Sequence, residues 1–271
     1  MRVVVCVKHV PDIQSARAFG ADGLLVRGGD DDTLNELDED ALEAGLRTVE
    51  AHPVGEGEPA HDVTVLTVGP APAVEALRRG IAMGATTAVH VTDPALAGSD
   101  ALATARVLAA AVRHLDAERP VDLVVLGMAG LDGLTSLVPA ALAAELDWVQ
   151  LTLADRIEVD PAARTLRVRR ETSTVVEELQ ADLPAVVSVT DQAFRARFPA
   201  FKGILAARKA PVTVLSVADL GLDPATVGLD GSTTRVVDAA PRPERSGSTV
   251  VNGGAETAAA LAEFLSQKGF A

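Results

Sequence analysis

The chain has 271 residues, 48% of them apolar, enough for one large domain or two small ones with a substantial core. Its 24 Lys plus Arg against 38 Asp plus Glu leave a net charge of −14, which argues against nucleic acid as the main partner and against an anionic membrane surface. One cysteine excludes a disulfide framework, a Cys-based zinc site and an iron–sulfur cluster, and the 5 His show no HExxH-type spacing, so no metal site is expected.

With 6 Phe, 1 Trp and no Tyr, the core must be built from Val, Leu, Ala and Ile, which suits helices packed closely on a parallel sheet. Arg2–Val7 reads as a Val-rich strand ended by Pro11 and Asp12. Its apolar run stops at Lys8, too short for a signal peptide, and no segment reads as a membrane span, so a cytoplasmic protein is expected. Residues 14–34 read as irregular, with Leu24–Val26 as a short strand. Asn35 followed by Asp38 reads as a loose capping box opening a helix to Glu50, with Leu42, Leu46 and Val49 on one face. Asp62–Val68 is a second strand, Ala73–Met83 a helix stopped by Gly84, Ala88–Val91 a third strand and Asp100–Leu115 a third helix.

Residues 121–138, VDLVVLGMAGLDGLTSLV, follow as a buried strand, a loop punctuated by Gly127, Gly130 and Gly133, and a helix start with Thr135 and Ser136 where an N-cap would lie. Such a turn presents free backbone N–H groups and a positive helix end at the carboxyl edge of a sheet, where open α/β sheets bind nucleotides. Taken alone it is generic to α/β proteins. The β-α alternation predicts an α/β fold with a doubly wound, mostly parallel, Rossmann-like sheet.

After Trp148 the pattern changes. Leu151–Val159 and Thr165–Glu171 read as a hairpin around residues 160–163, added to the first sheet. Leu183–Val189 and Val212–Leu215 read as further strands, residues 221–254 as an extended arm, and Ala255–Gln267 as a closing helix. The expected layout is a nucleotide-binding α/β domain over 1–190, a partner-recognition loop over 191–210, and a C-terminal arm and helix over 211–271 that lies on another chain.

No catalytic set emerges: there is no GxSxG, HExxH or P-loop spacing. The window 191–209 is unusual, with Phe194, Phe198 and Phe201 beside Arg195, Arg197, Lys202, Arg208 and Lys209 in an acidic chain. Exposed aromatic and Arg residues on a loop suit a protein–protein anchor; the competing reading is a loop whose Phe side chains plug into the core.

The segments together resemble the beta subunit of electron transfer flavoproteins (ETF). The residues that carry the resemblance are VVVCVKHVPD at 3–12, LNELDEDALEAGLR at 34–47, TVGPAPAVEALRRGIAMGATTAVHV at 67–91, then VDLVVLG, LDG at 131–133 and LDW at 146–148. They continue with DLPAVVSVT at 182–190, FKGILAARK at 201–209 and Pro243-Glu244-Arg245 before the closing helix. The resemblance implies an electron-transfer subunit rather than an enzyme. Its partners would be an ETF alpha subunit that holds most of the FAD, flavin-dependent dehydrogenases of the acyl-CoA type that donate electrons, and an ETF-quinone oxidoreductase. It implies a structural AMP in this chain near Cys6, Asn35, Glu36, Leu37, Asp38, Val68, Gly127, Met128, Ala129, Gly130, Leu131, Asp132, Gly133, Leu134, Thr135, Ser136 and Val138. It also implies that Phe198, Phe201, Ile204 and Leu205 dock partner dehydrogenases. The family loop after Gly127 is rich in Gln, Asp and Asn; here only Asp132, Gly133 and Thr135 keep that character. The departures bear on side-chain recognition of AMP, and backbone N–H contacts do not depend on them. Two alternatives stand beside this reading: an electron-bifurcating ETF with a second FAD in this chain, and a stand-alone adenine-nucleotide binder.

Overall fold

A computed structural model describes residues 1–57, 59–240, 243, 250 and 252–270. Contacts divide the chain into Met1–Val237 and Asp238–Ala271. In the first unit the chain runs β1 (Arg2–Cys6), β2 (His9–Pro11), β3 (Asp32–Leu34), α1 (Glu36–Glu50), β4 (Asp62–Val68), α2 (Val74–Met83), β5 (Thr87–Val91), α3 (Ala101–Glu118), β6 (Leu123–Gly127) and α4 (Val138–Leu146). It continues with β7 (Val149–Ala154), β8 (Arg156–Asp160), β9 (Thr165–Glu171), β10 (Val176–Asp182), β11 (Ala185–Val189), α5 (Phe201–Ala207) and β12 (Thr213–Leu215). The second unit contains α6 (Ala255–Gln267). Glu244 and Arg245, part of the tail resemblance, lie outside the described residues.

Seven strands form one parallel sheet in the order β12-β5-β4-β1-β6-β11-β7. Every residue of β1, β6 and β11 is buried, as a strand covered on both faces requires. Alternation divides β1 between two cores: Val3 and Val5 pack with Leu42 and Leu46 of α1 and Leu77 of α2. Val4 and Cys6 share the other core with Leu108 of α3 and Leu142 of α4. Helices therefore cover both faces, and the sheet is doubly wound. Strand order reverses between β1, from which the chain moves to β4 and β5, and β6 on its other side. That reversal opens a crevice at the carboxyl ends of β1 and β6, the place where open α/β sheets take ligands.

The hairpin expected on this sheet is built differently. Leu151–Val159 is not one strand: Val149–Ala154 pairs parallel with β11 at the sheet edge, and Arg156–Asp160 leaves to form a separate three-stranded antiparallel sheet, β10-β9-β8. The break has a local cause. Leu153 takes a left-handed φ of 62°, and the β11 register shifts between Val187 and Val189 opposite it. Leu24–Val26 is likewise no strand and makes one bridge, Phe19 to Leu25. The short ribbon there is β2 with β3. Residues 201–207, expected to be irregular, form α5, while β12 and the chain to Val237 belong with the first unit rather than with the arm.

Candidate functional site

Three pieces of backbone meet at the crevice: the chain leaving β1, the start of α1, and the loop between β6 and α4. Asn35 occupies the N-cap position of α1 but makes no side-chain cap hydrogen bond. Its amide instead reaches across, donating to the Ala129 carbonyl at 3.0 Å and accepting from the Leu131 N–H at 3.0 Å. Asp38 accepts from the Lys8 N–H at 2.8 Å and from the Gly127 N–H at 3.2 Å. The expected capping box is thus a cross-link: both side chains are buried and satisfy backbone groups that the switch point would otherwise leave unpaired. The contact is tight, because a Cβ on Gly127 would lie 2.5 Å from Asp38 Oδ1 and 2.7 Å from the Leu37 carbonyl.

Outside this cross-link sits Asp132, whose side chain is 0% exposed beneath Lys8 Nζ at 2.8 Å and Arg27 Nη2 at 2.6 Å. Burial works against its ionisation, but the two cations outweigh burial and lower its pKa. Arg17 adds a hydrogen bond to the Leu131 carbonyl at 3.2 Å. The loop from Gly127 to Asp132 is therefore fastened on every side by this chain's own groups. Cys6 is buried, and burial together with Asp38 raises its thiol pKa, so it serves as a small apolar side chain. Leu37, Gly127 and Ala129 are also buried; Val68, Met128, Gly130, Leu131 and Val138 are half-buried.

Glu36, Gly133, Leu134, Thr135 and Ser136 are exposed. Neither Thr135 nor Ser136 caps α4: the N-cap position is Leu137, and Pro139 in the first turn sets the helix start. Leu134 and Ser136 take left-handed φ values of 50° and 51° with Leu137 right-handed after them. Alternation of that kind turns successive N–H groups to one side, the geometry of an anion-holding nest. Among the described residues, no protein acceptor takes the backbone N–H of Thr135, Ser136, Leu137 or Val138. Four donors without a protein acceptor among the described residues thus lie at the positive end of α4.

A cleft of about 590 Å³ continues from Met128 over the carboxyl ends of β7 and β11, with Asp155, Arg156, Thr190 and Gln192 in its lining. Asp155 pairs with Arg169, and its Oδ1 is buried without a hydrogen-bond partner. These residues were not singled out in the sequence, because the break at Leu153 that brings them there leaves no turn signal.

Asp38 gives the site a pH signature. Burial pushes its carboxyl from 3.8 up to about 7, although the N–H groups of Lys8 and Gly127 and the Asn35 amide favour the charged form. A carboxyl raised in the folded state contributes stability that is complete below the unfolded pKa and is lost as pH rises through the folded one. Stability should fall between about pH 4 and pH 7, by up to about 4 kcal/mol at 1.36 kcal/mol per unit. Urea titrations across that range, on the parent and on Asp38→Asn, check this: the variant should show the shallower pH slope, and parallel slopes would refute it.

The proposed docking residues lie elsewhere on the first unit. Phe198 and Phe201 are 86% and 76% exposed, and Ile204 and Leu205 of α5 are exposed beside them. Phe194 behaves in the opposite way and packs against the core. Among the described residues no helix is long and apolar enough to cross a membrane, and no group of three or more His, Cys, Asp or Glu could hold a metal ion.

A doubly wound parallel sheet with its reversal at β1 and β6 places the molecule among Rossmann-like α/β proteins. The electron transfer flavoprotein domain family matches residues 22–220. The electron transfer flavoprotein subunit beta of Mycobacterium tuberculosis (strain ATCC 25618 / H37Rv) is 37% identical over 266 residues, covering 97% of each chain. The subunit of the same name from Megasphaera elsdenii is 33% identical over 93% of this chain and 91% of its own. The caffeyl-CoA reductase-Etf complex subunit CarD of Acetobacterium woodii is 31% identical over 99% of each. The chain belongs to the electron transfer flavoprotein family and is similar along nearly its whole length to the family's beta subunits.

Proposed function

We propose that this chain is the beta subunit of a heterodimeric electron carrier. It pairs with an ETF alpha subunit, takes electrons from acyl-CoA-type or related flavin-dependent dehydrogenases, and passes them toward the respiratory chain through an ETF-quinone oxidoreductase. The observation that carries the reading is the exposure of Phe198 and Phe201, three residues apart and beside Lys202, in an acidic chain similar to ETF beta subunits along nearly its whole length. Large aromatic groups left in water at one place suit a partner's pocket. FAD, held mainly by the alpha subunit, supplies the redox chemistry, and this chain contributes binding surface and electrostatics. The C-terminal arm and helix lie, in this reading, on the alpha subunit.

The fit to AMP is through backbone. The N–H groups of Thr135, Ser136, Leu137 and Val138, which no protein acceptor takes among the described residues, suit a phosphate, whereas Asn35 and Asp38 are committed to protein groups and leave the base little side-chain recognition. Co-expression with an ETF alpha subunit, followed by flavin and nucleotide analysis of the purified complex, tests this. One FAD and one AMP per heterodimer are expected. Two FAD would overturn the structural AMP in favour of a bifurcating carrier, and a flavin-free monomer that binds ATP would overturn the electron-carrier reading.

A further inference from the structure

The segment between Thr190 and Phe201 has no strand or helix to hold it, yet it carries Phe198. What holds it is the side of α1. Glu43 is 1% exposed and takes three hydrogen bonds from one residue of the segment: the Arg197 N–H at 3.2 Å, Nε at 2.6 Å and Nη2 at 3.2 Å. Glu50, two turns further along α1, takes Arg197 Nη1 at 2.6 Å and Nη2 at 2.9 Å. Arg47, on the same stripe, closes the other side of Glu43 at 2.7 Å. Positions 43, 47 and 50 recur at helical spacing, so one face of α1 presents this series to the segment. Beyond Phe198, α5 is held by α2: Arg78 donates to the Ala207 carbonyl at 2.7 Å, and a Cβ on Gly203 would lie 2.4 Å from the Ala82 carbonyl.

We propose that Glu43 and Arg197 are positioning residues for partner docking: their pairing on α1 fixes the direction in which Phe198 and Phe201 are presented to an electron-donating dehydrogenase. The inference rests on the reading of this segment as the docking surface. The physical argument is preorganisation. A free segment would have to be ordered at the moment of binding, and a segment already held by a planar bidentate guanidinium avoids most of that entropic cost. Burial makes the pair selective as well. Glu43 has its pKa lowered because Arg197 and Arg47 outweigh its burial, and removal of Arg197 leaves a buried carboxylate with a single exposed partner.

The test uses the purified heterodimer as electron acceptor for a flavin-dependent acyl-CoA dehydrogenase, with the heterodimer concentration varied. Arg197→Gln and Glu50→Gln should each raise the KM for the heterodimer, the first by about tenfold, with kcat unchanged. Arg197→Lys should recover part of the loss. The double variant Glu43→Gln/Arg197→Gln should be no worse than Arg197→Gln alone, as a coupled pair requires. Amide exchange over residues 194–207 should quicken in Arg197→Gln without the donor present, which reads positioning in a form that survives poor turnover. Phe198→Ala separates the two readings. If it raises KM while Arg197→Gln does not, positioning is refuted and the docking surface stands. If Phe198→Ala leaves KM unchanged, the docking surface falls and the proposal with it.

Discussion

Replacing Gly127 by alanine is expected to lower the melting temperature of the heterodimer by about 10 °C. The added methyl group would meet Asp38 Oδ1 at 2.5 Å and the Leu37 carbonyl carbon and oxygen at 2.7 Å, and two of those three atoms are backbone. Neither β6, buried along its whole length, nor the first turn of α1 has room to retreat. Overpacking of that kind costs about 1–3 kcal/mol. Pushing Asp38 aside also removes its bond to the Gly127 N–H, leaving a buried donor unpaired at about 1–3 kcal/mol. A combined loss of about 3–4 kcal/mol at about 3 °C per kcal/mol gives the expected shift. Gly133→Ala is the control, since a Cβ there meets nothing within 4 Å. Scanning calorimetry of both variants decides the matter: if the two melt together with the parent, the cross-link at the end of β6 has been misjudged.

Leu137→Glu should strip the complex of nucleotide. A carboxylate at the N-cap position of α4 would compete for the N–H groups there and repel a phosphate across a few ångströms. Like-charge juxtaposition is worth several kcal/mol, so nucleotide released by heating should drop to less than about a tenth of the parent's. Leu137→Gln, similar in shape without the charge, should retain it. Chromatography of the released nucleotide is the measurement, and equal release from the Glu and Gln variants would remove residues 134–138 from the site.

Much of the frame could be read from residue order because two periods carry it. β1, β4 and α2 fall within a residue of their expected limits, since Val-rich runs and the Gly84 stop leave little choice, and α3 runs three residues further than expected, to Glu118. The misreadings share a physical origin: each depended on where one side chain or one torsion points. Leu153 adopts a left-handed φ that apolar alternation does not reveal, so one expected strand is divided between two sheets. Val176–Asp182 pairs with β9 although Glu, Gln and Ala dominate it, because its outer face is wet and its inner face needs only Leu179 and Ala181. Asn35 and Asp38 sit where a ligand contact was expected, yet an Asn-x-x-Asp spacing serves a helix cap and a loop cross-link equally well; only the approach of residues 127–131 selects between them. In the 191–209 window the residues divide, with Phe194 packed against the core and Phe198 in water.

The 15 residues of α1 span about 22 Å. One end is bonded to the β6–α4 loop through Asn35 and Asp38, and the other to the aromatic segment through Glu43 and Glu50. The two surfaces are therefore not separable modules. A chimaera that imports another relative's 191–209 segment inherits its anchors only if residues 43 and 50 match the incoming cation. A substitution that rotates α1 to suit a new segment disturbs the loop at its opposite end. Exchange of the 191–209 surface between family members, in this architecture, has to move a helix together with a loop.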